Sequence, residues 1–337
     1  MERTSLIVTA VTSVLVTALL GIVIVPWLKK KKLDQVINDI GPTWHQKKAG
    51  TPSMGGIMIV FGVIISLAVG ILTLYLRHPQ IMNDQYFEER MRLVIGLCAS
   101  LCFGAIGFTD DMMKIKNNRN LGLTAKKKLI PQTIIATAYV VLMHFYGGEG
   151  TDWVFPLIGT LRLGWFYYPL SIFTIVGFVN AVNLTDGLDG LNSTVTFFYS
   201  AAMVACSAVA GYAATGLFAA AVAGACAGFL VWNFYPAKIF MGDTGSLFLG
   251  GAVISMAFGI SYPVLLFVAG IVYLCEAFSV ILQVCYFKAT HGKRLFKMSP
   301  IHHHFEMCGW SEIKIDAVFG LVTVLGGAVS VILLAAS

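Results

Sequence analysis

The sequence predicts an all-α polytopic integral membrane protein with about ten transmembrane helices. Three observations carry that prediction. Of 337 residues, 57% are hydrophobic and only 12% are charged, about half the charged fraction of a soluble domain. The mean hydropathy is +0.80. The apolar residues also fall in repeated runs near the ~20 residues that cross a hydrocarbon core, which a greasy soluble interior does not explain.

Taken in order, the runs centre near Leu15, Ile65, Leu101, Thr137, Ile175, Val204, Gly224, Ile254, Val272 and Gly326. The first, over residues 6–28, is too long for a signal-peptide core. It ends in Lys29 to Lys32 rather than in small residues, so it reads as a retained helix. An even number of spans puts both termini on one side. The connections at 29–53, 110–128, 183–192, 235–245 and 288–314 then share the other side, and together they hold 18 of the 23 Lys and Arg. This positive-inside bias predicts that those five face the cytoplasm and that both termini lie outside. The stretch from Gly147 to Trp165, rich in Gly and aromatics, suggests a small exterior hairpin. No repeat, linker or soluble domain interrupts the chain, so residues 1–337 read as one transmembrane domain. The seven cysteines are scattered and form no CxxC pair, which argues against disulfides and zinc.

The unusual polar clusters gather on the predicted cytoplasmic face. They are "HQKKAGTPSMGG" (45–56), "GFTDDMMK" (107–114), "NAVNLTDGLDGLN" (180–192), "WNFYPAKIFMGDTGSL" (232–247) and "KMSPIHHHFEMCGW" (297–310). Asp110, Asp111, Asp186, Asp189 and Asp243 all fall at helix ends there. A lone Asp at such a place marks a solvated helix end. Five, set in Gly- and Asn-rich turns, point to a shared wet pocket. Carboxylates crowded together disfavour their own ionisation unless a cation lies among them. Mg²⁺ suits such a pocket, since it takes one or two carboxylates together with substrate phosphate oxygens.

Lys47, Lys48, Lys114, Lys126, Lys127 and Lys128 share this face, and glycine turns expose N–H groups suited to phosphate. Lys29 to Lys32 read as plain membrane anchors, whereas Lys48, Lys114 and Lys126 lie close to carboxylates or glycine turns. Consecutive His302, His303 and His304 cannot converge on one zinc from a helix or strand. On a helix, His302 and Glu306 would share a face, and imidazoles beside a phosphate are the better reading. Glu276 falls inside the ninth apolar run and carries no assigned chemistry. A cytoplasmic pocket of this kind, opening sideways to lipid, suits a soluble diphosphate substrate meeting a lipid phosphate, where catalysis is positioning and charge neutralisation.

With those residues in view, the sequence resembles the polyprenyl-phosphate N-acetylhexosamine-1-phosphate transferases. The resemblance covers essentially the whole chain. "GFTDDMMK", "NAVNLTDGLDG" and "FMGDTGSL" look like signatures of that superfamily, and "SPIHHHFE" with the following "GW" resembles its muramoyl-pentapeptide branch. The resemblance implies a ten-helix catalytic domain in the bacterial inner membrane, usually a homodimer, with a cytoplasmic cleft. It implies transfer of phospho-N-acetylmuramoyl-pentapeptide from UDP-N-acetylmuramoyl-pentapeptide to undecaprenyl phosphate, with Mg²⁺ as cofactor and no nucleic-acid partner. Asp243 would hold the metal. Asp110 would orient or deprotonate the lipid phosphate, and Asp111 would support the metal and diphosphate. Asn183, Asp186 and Asp189 would line the nucleoside pocket, with Lys48 and Ser53 near uridine and Phe240 stacked on uracil. Asn233 would approach the diphosphate or the metal, and Lys114 and Lys126 would hold phosphates. Gln283, His302, His303 and His304 would meet the muramoyl-pentapeptide, His302 among the catalytic groups. Ser53 stands where the family often has Thr, which keeps the hydroxyl. A related UDP-N-acetylglucosamine transferase and a lipid transporter are the alternatives. The triple-His motif argues against the first, and the one-sided polar clusters without repeated halves argue against the second.

Overall fold

The computed structural model describes residues 3–31, 48, 50–116 and 122–337. Lys32, His45 and Lys47 lie outside the described residues. Helices dominate: α1 (Arg3–Lys30), α2 (Gly56–Arg77), α3 (Phe87–Lys116), α4 (Ala125–Tyr146), α5 (Tyr167–Thr185), α6 (Leu191–Ala210), α7 (Ala213–Asn233), α8 (Gly242–Gly259), α9 (Leu265–Ala269), α10 (Ile271–Ala289), α11 (Ile301–Glu306) and α12 (Glu312–Ala335). Among the described residues, nine helices are long and apolar enough to cross a membrane. The chain is thus a multi-pass membrane protein, because only a helix satisfies every backbone group of such a span internally.

The predicted eighth span is α8, which falls outside those nine because its first turn is the polar "GDTGS". Every residue of α8 from Thr244 to Gly259 is buried. The other helices shield it from lipid, so it is the core around which the bundle closes. Close approach by α3 requires glycine at 107, where a Cβ would overlap the Asp243 carbonyl. The predicted ninth span is broken near Gly270 into short α9 and longer α10.

Small residues let other helices approach as closely. Along α1, Ser5, Thr9, Ser13, Thr17 and Gly21 form a buried stripe at a spacing of four. Ser13 Oγ donates to the Ala221 carbonyl of α7 at 2.6 Å. Ile7, Val11, Leu15, Leu19 and Ile22 on the opposite side are exposed, as suits a lipid-facing surface. The expected hairpin is present: β1 (Asp152–Phe155) and β2 (Gly159–Arg162) pair antiparallel, with Asp152 opposite Arg162.

Arg92, near the start of α3, is buried, 3.2 Å from the Glu149 carboxylate, and donates to Ser261 Oγ at 2.7 Å. A charge at that depth is tolerable only because it is paired and hydrogen-bonded.

Candidate active site

Four polar connections meet at one end of the bundle, around the start of α8. The turn into α8 is set by Gly242, whose φ of +74° is one that side-chain-bearing residues rarely adopt. The first N–H groups of a helix have no internal partner. Here Asp111, near the end of α3, supplies one. Its carboxylate accepts from the Asp243 amide at 3.1 Å, the Thr244 amide at 2.9 Å and the Thr244 hydroxyl at 2.6 Å.

Asp110, Asp111 and Asp243 each place a carboxylate oxygen within 4.8 Å of the others. Two lysines lie among them. Lys114 Nζ is 2.7 Å from Asp110 and 2.8 Å from Asp243. Lys128 Nζ is 3.2 Å from Asp110 and 2.7 Å from Asp243. Asn183 donates to the other Asp243 oxygen at 2.9 Å and to Ser246 Oγ at 2.8 Å. Asp110 also accepts from the Leu123 amide. The three carboxylates offer hard oxygen donors of the kind Mg²⁺ takes, and the lysines balance part of their charge.

Asp186 follows α5 and is half-buried beside this group. Burial pushes its carboxyl well above the usual aspartate range, and the charges of Asp243 and Asp111 push it further. Asp189 is tied differently. Its carboxylate takes Lys48 Nζ at 2.7 Å and the Ala237 amide at 2.9 Å. Lys48 also reaches Glu312 at 2.7 Å, and Glu312 accepts from the Asp189 amide at 3.0 Å. Burial works against the Lys48 ammonium, but its two carboxylate partners outweigh that and hold it above the usual lysine range.

Ser53 and Phe240 lie side by side, because the Phe240 amide donates to the Pro52 carbonyl and the Gly55 amide to the Phe240 carbonyl, both at 2.8 Å. Asn233 is buried and works within the protein: it accepts from the Gly190 amide at 3.2 Å and donates to the Ile239 carbonyl at 2.9 Å. Gln283 accepts from the Leu295 and Phe296 amides and so holds the chain before α11. The three histidines diverge, as their adjacency requires. His302 pairs with Glu276 at 3.0 Å and is fully buried; His303 pairs with Glu306 at 2.9 Å; His304 accepts from the Lys297 amide at 3.1 Å. His302 and Glu306 are the two buried residues of α11, as the expected shared face requires, and Glu306 partners His303.

Lys126 is exposed and forms no ion pair with these carboxylates among the described residues; Lys128, two residues on, reaches them instead. The run of three lysines offers no signal for choosing between them, since only the start of α4 decides which turns inward. Glu312 was equally invisible in the sequence, where it is a single acid at the start of the last span.

The sequence matches the family model for Glycosyl transferase family 4 over residues 93–261, which hold most of this site. Residues 48–60 match Phospho-N-acetylmuramoyl-pentapeptide-transferase signature 1. The phospho-N-acetylmuramoyl-pentapeptide-transferase of Bacillus pumilus is 43% identical over 94% of this chain and 95% of its own length. The chain belongs to the phospho-N-acetylmuramoyl-pentapeptide transferase family. The same-named protein of Bacillus subtilis is 43% identical over 93% of this chain and 94% of its own, and that of Clostridioides difficile 40% identical over 98% of each. As a member of the transferase family this chain is a membrane-embedded enzyme of peptidoglycan synthesis. Lys48 and Ser53 fall within the matched signature, and Asp110, Asp111, Asn183, Asp186, Asp189 and Asp243 within the matched glycosyl transferase region.

Proposed function

We propose that the site transfers phospho-N-acetylmuramoyl-pentapeptide from its UDP-linked donor to undecaprenyl phosphate, giving lipid I and UMP. The observation that carries this reading, in a member of this family, is the convergence of Asp110 and Asp243 on Lys114 and Lys128. An oxygen of the lipid phosphate attacks the phosphorus that bears the sugar. The bond from that phosphorus to the bridging oxygen breaks, and UMP leaves with the bridging electron pair. Both reactants are anionic, so fixed cations offset their repulsion as they approach. Lys114 and Lys128 are placed to do so, and Asp110 is placed to orient the lipid phosphate.

Mg²⁺ held by Asp243, with Asp110 and Asp111 at hand, would supply further charge neutralisation at the diphosphate. The turn carrying Asp186 and Asp189, with Lys48, Ser53 and Phe240, would receive the nucleoside. Gln283 and His302 to His304 would lie toward the muramoyl-pentapeptide. The excess of Lys and Arg in the connections at this end supports a site that faces the cytoplasm, and the family resemblance supports the bacterial inner membrane as its location. A homodimer follows from the family resemblance, and light scattering of the purified protein tests it.

The test of the reaction is conversion of labelled UDP-N-acetylmuramoyl-pentapeptide into a butanol-extractable lipid by purified protein given undecaprenyl phosphate. Metal-dependent conversion is expected. Turnover of UDP-N-acetylglucosamine alone would overturn the substrate assignment.

A further inference from the structure

Glu276 lies in the second turn of α10, within a mostly apolar stretch of sequence, and it is fully buried. A carboxylate at membrane depth is costly and usually marks function. Its Oε2 is 3.0 Å from Nδ1 of His302, the second residue of α11, which is also fully buried. Glu276 Oε1 and His302 Nε2 are both buried and have no hydrogen-bond partner among the described residues. A well-satisfied structural pair would not leave both outer atoms unpaired.

The direction of Nε2 gives the pair its meaning. It points at Gly187, where a Cβ would overlap it. Gly187 belongs to the turn between Asp186 and Asp189, whose far end is fixed by Lys48 and Glu312. The histidine ring therefore supports the near end of the turn that presents both carboxylates.

We propose that Glu276 is a positioning residue for the transfer: by accepting a hydrogen bond from His302 Nδ1–H it fixes the tautomer and plane of the ring, and the ring, packed against Gly187, thereby holds the Asp186–Asp189 turn in place for the donor. A carboxylate bonded to one ring nitrogen sets which nitrogen carries the proton, and the loss of such a partner behind a functional histidine costs on the order of 10–100-fold in activity at metal sites. Glu276 acts only through the ring, so its effect depends on His302 being present. The proposal rests on the transferase reading above.

The test is a double-mutant cycle on the purified full-length protein, joined to nitrogen NMR of histidine-labelled protein in nanodiscs. Glu276→Gln preserves volume while removing the charge that selects the tautomer. It is expected to lower kcat/KM for the UDP-linked donor about tenfold or more, with KM for undecaprenyl phosphate changed less than about twofold. In a His302→Gln background, Glu276→Gln is expected to cause no further loss, since groups acting through one another are not additive. In the wild type, the ring assigned by its absence in His302→Gln is expected to carry its proton on Nδ1. Independent, multiplicative losses in the cycle, unchanged activity of Glu276→Gln, or a wild-type proton on Nε2 alone would each overturn the proposal. The NMR readout needs no turnover, so an inactive wild type would count against the proposed reaction while the tautomer of His302 is still decided.

Discussion

Asp111 grips Thr244 twice, through its amide at 2.9 Å and its hydroxyl at 2.6 Å. The grip joins the end of α3 to the start of α8 and fixes the distance between the adjacent acids and Asp243. Asp110 and Asp111 are neighbours in sequence with different surroundings: Asp111 caps a helix, and Asp110 faces the lysines.

Asp111→Asn should therefore destabilise the protein as well as impair it. Half of an amide cannot accept, so the cap weakens by about 1–2 kcal/mol, the scale of helix N-cap losses. The expected outcome is a lower melting temperature in detergent. An unchanged melting temperature with activity lost would move Asp111 from capping to direct substrate or metal contact.

Asp243→Ala removes the carboxylate that receives Lys114, Lys128 and Asn183 at once. Turnover should vanish while the helical signal in circular dichroism persists, because α8 is otherwise buried among apolar neighbours. Substantial Mg²⁺-dependent activity in this variant would remove Asp243 from the metal role.

Lys128→Met and Lys126→Met separate geometry from composition. Hydrogen bonds to charged groups are worth about 1.5–3 kcal/mol, which as lost transition-state stabilisation is roughly ten- to a hundredfold in rate. Lys128→Met should show a loss of that size, and Lys126→Met a change within about twofold. The reverse ranking in kcat would contradict the placement of α4.

Glu149, at the opposite end of the bundle, predicts a pH dependence. Burial pushes its carboxyl above the ordinary value of 4.5, outweighing Arg92 and Ser261, which favour its ionised form. A folded state that holds a proton more tightly than the unfolded chain is stabilised at low pH and loses that stability as pH rises through the raised value. Glu149→Gln has no such proton. The melting temperature of the wild type should fall relative to this variant as pH is raised from about 4.5. A relative gain would show that the ion pair with Arg92 dominates instead.

Much of the architecture was legible in the sequence because lipid imposes a simple rule. Apolar runs of spanning length gave the helices, and Gly and aromatics gave the hairpin between α4 and α5. The exceptions are informative. Arg92 is a buried charge that no local pattern announces, because charge is normally kept from the interior; Glu149, 57 positions later in the chain, makes its burial possible. The eighth span opens on a polar turn because that turn is part of the site, and its depth in the bundle shows only once its neighbours are in place.

At the site, the sequence by itself determined the residue types: clustered aspartates, lysines and glycine turns at one face, with a motif order shared by a family. Residue type and spacing fix which chemistry is affordable near a membrane. Only the tertiary structure decided the partners. It turned Lys128 rather than Lys126 toward Asp243, gave Asp111 to the start of α8, bound Glu312 to Lys48, and set Glu276 against His302. Those choices depend on contacts between groups far apart in the chain, governed by helix rotation and close packing, which no local pattern encodes.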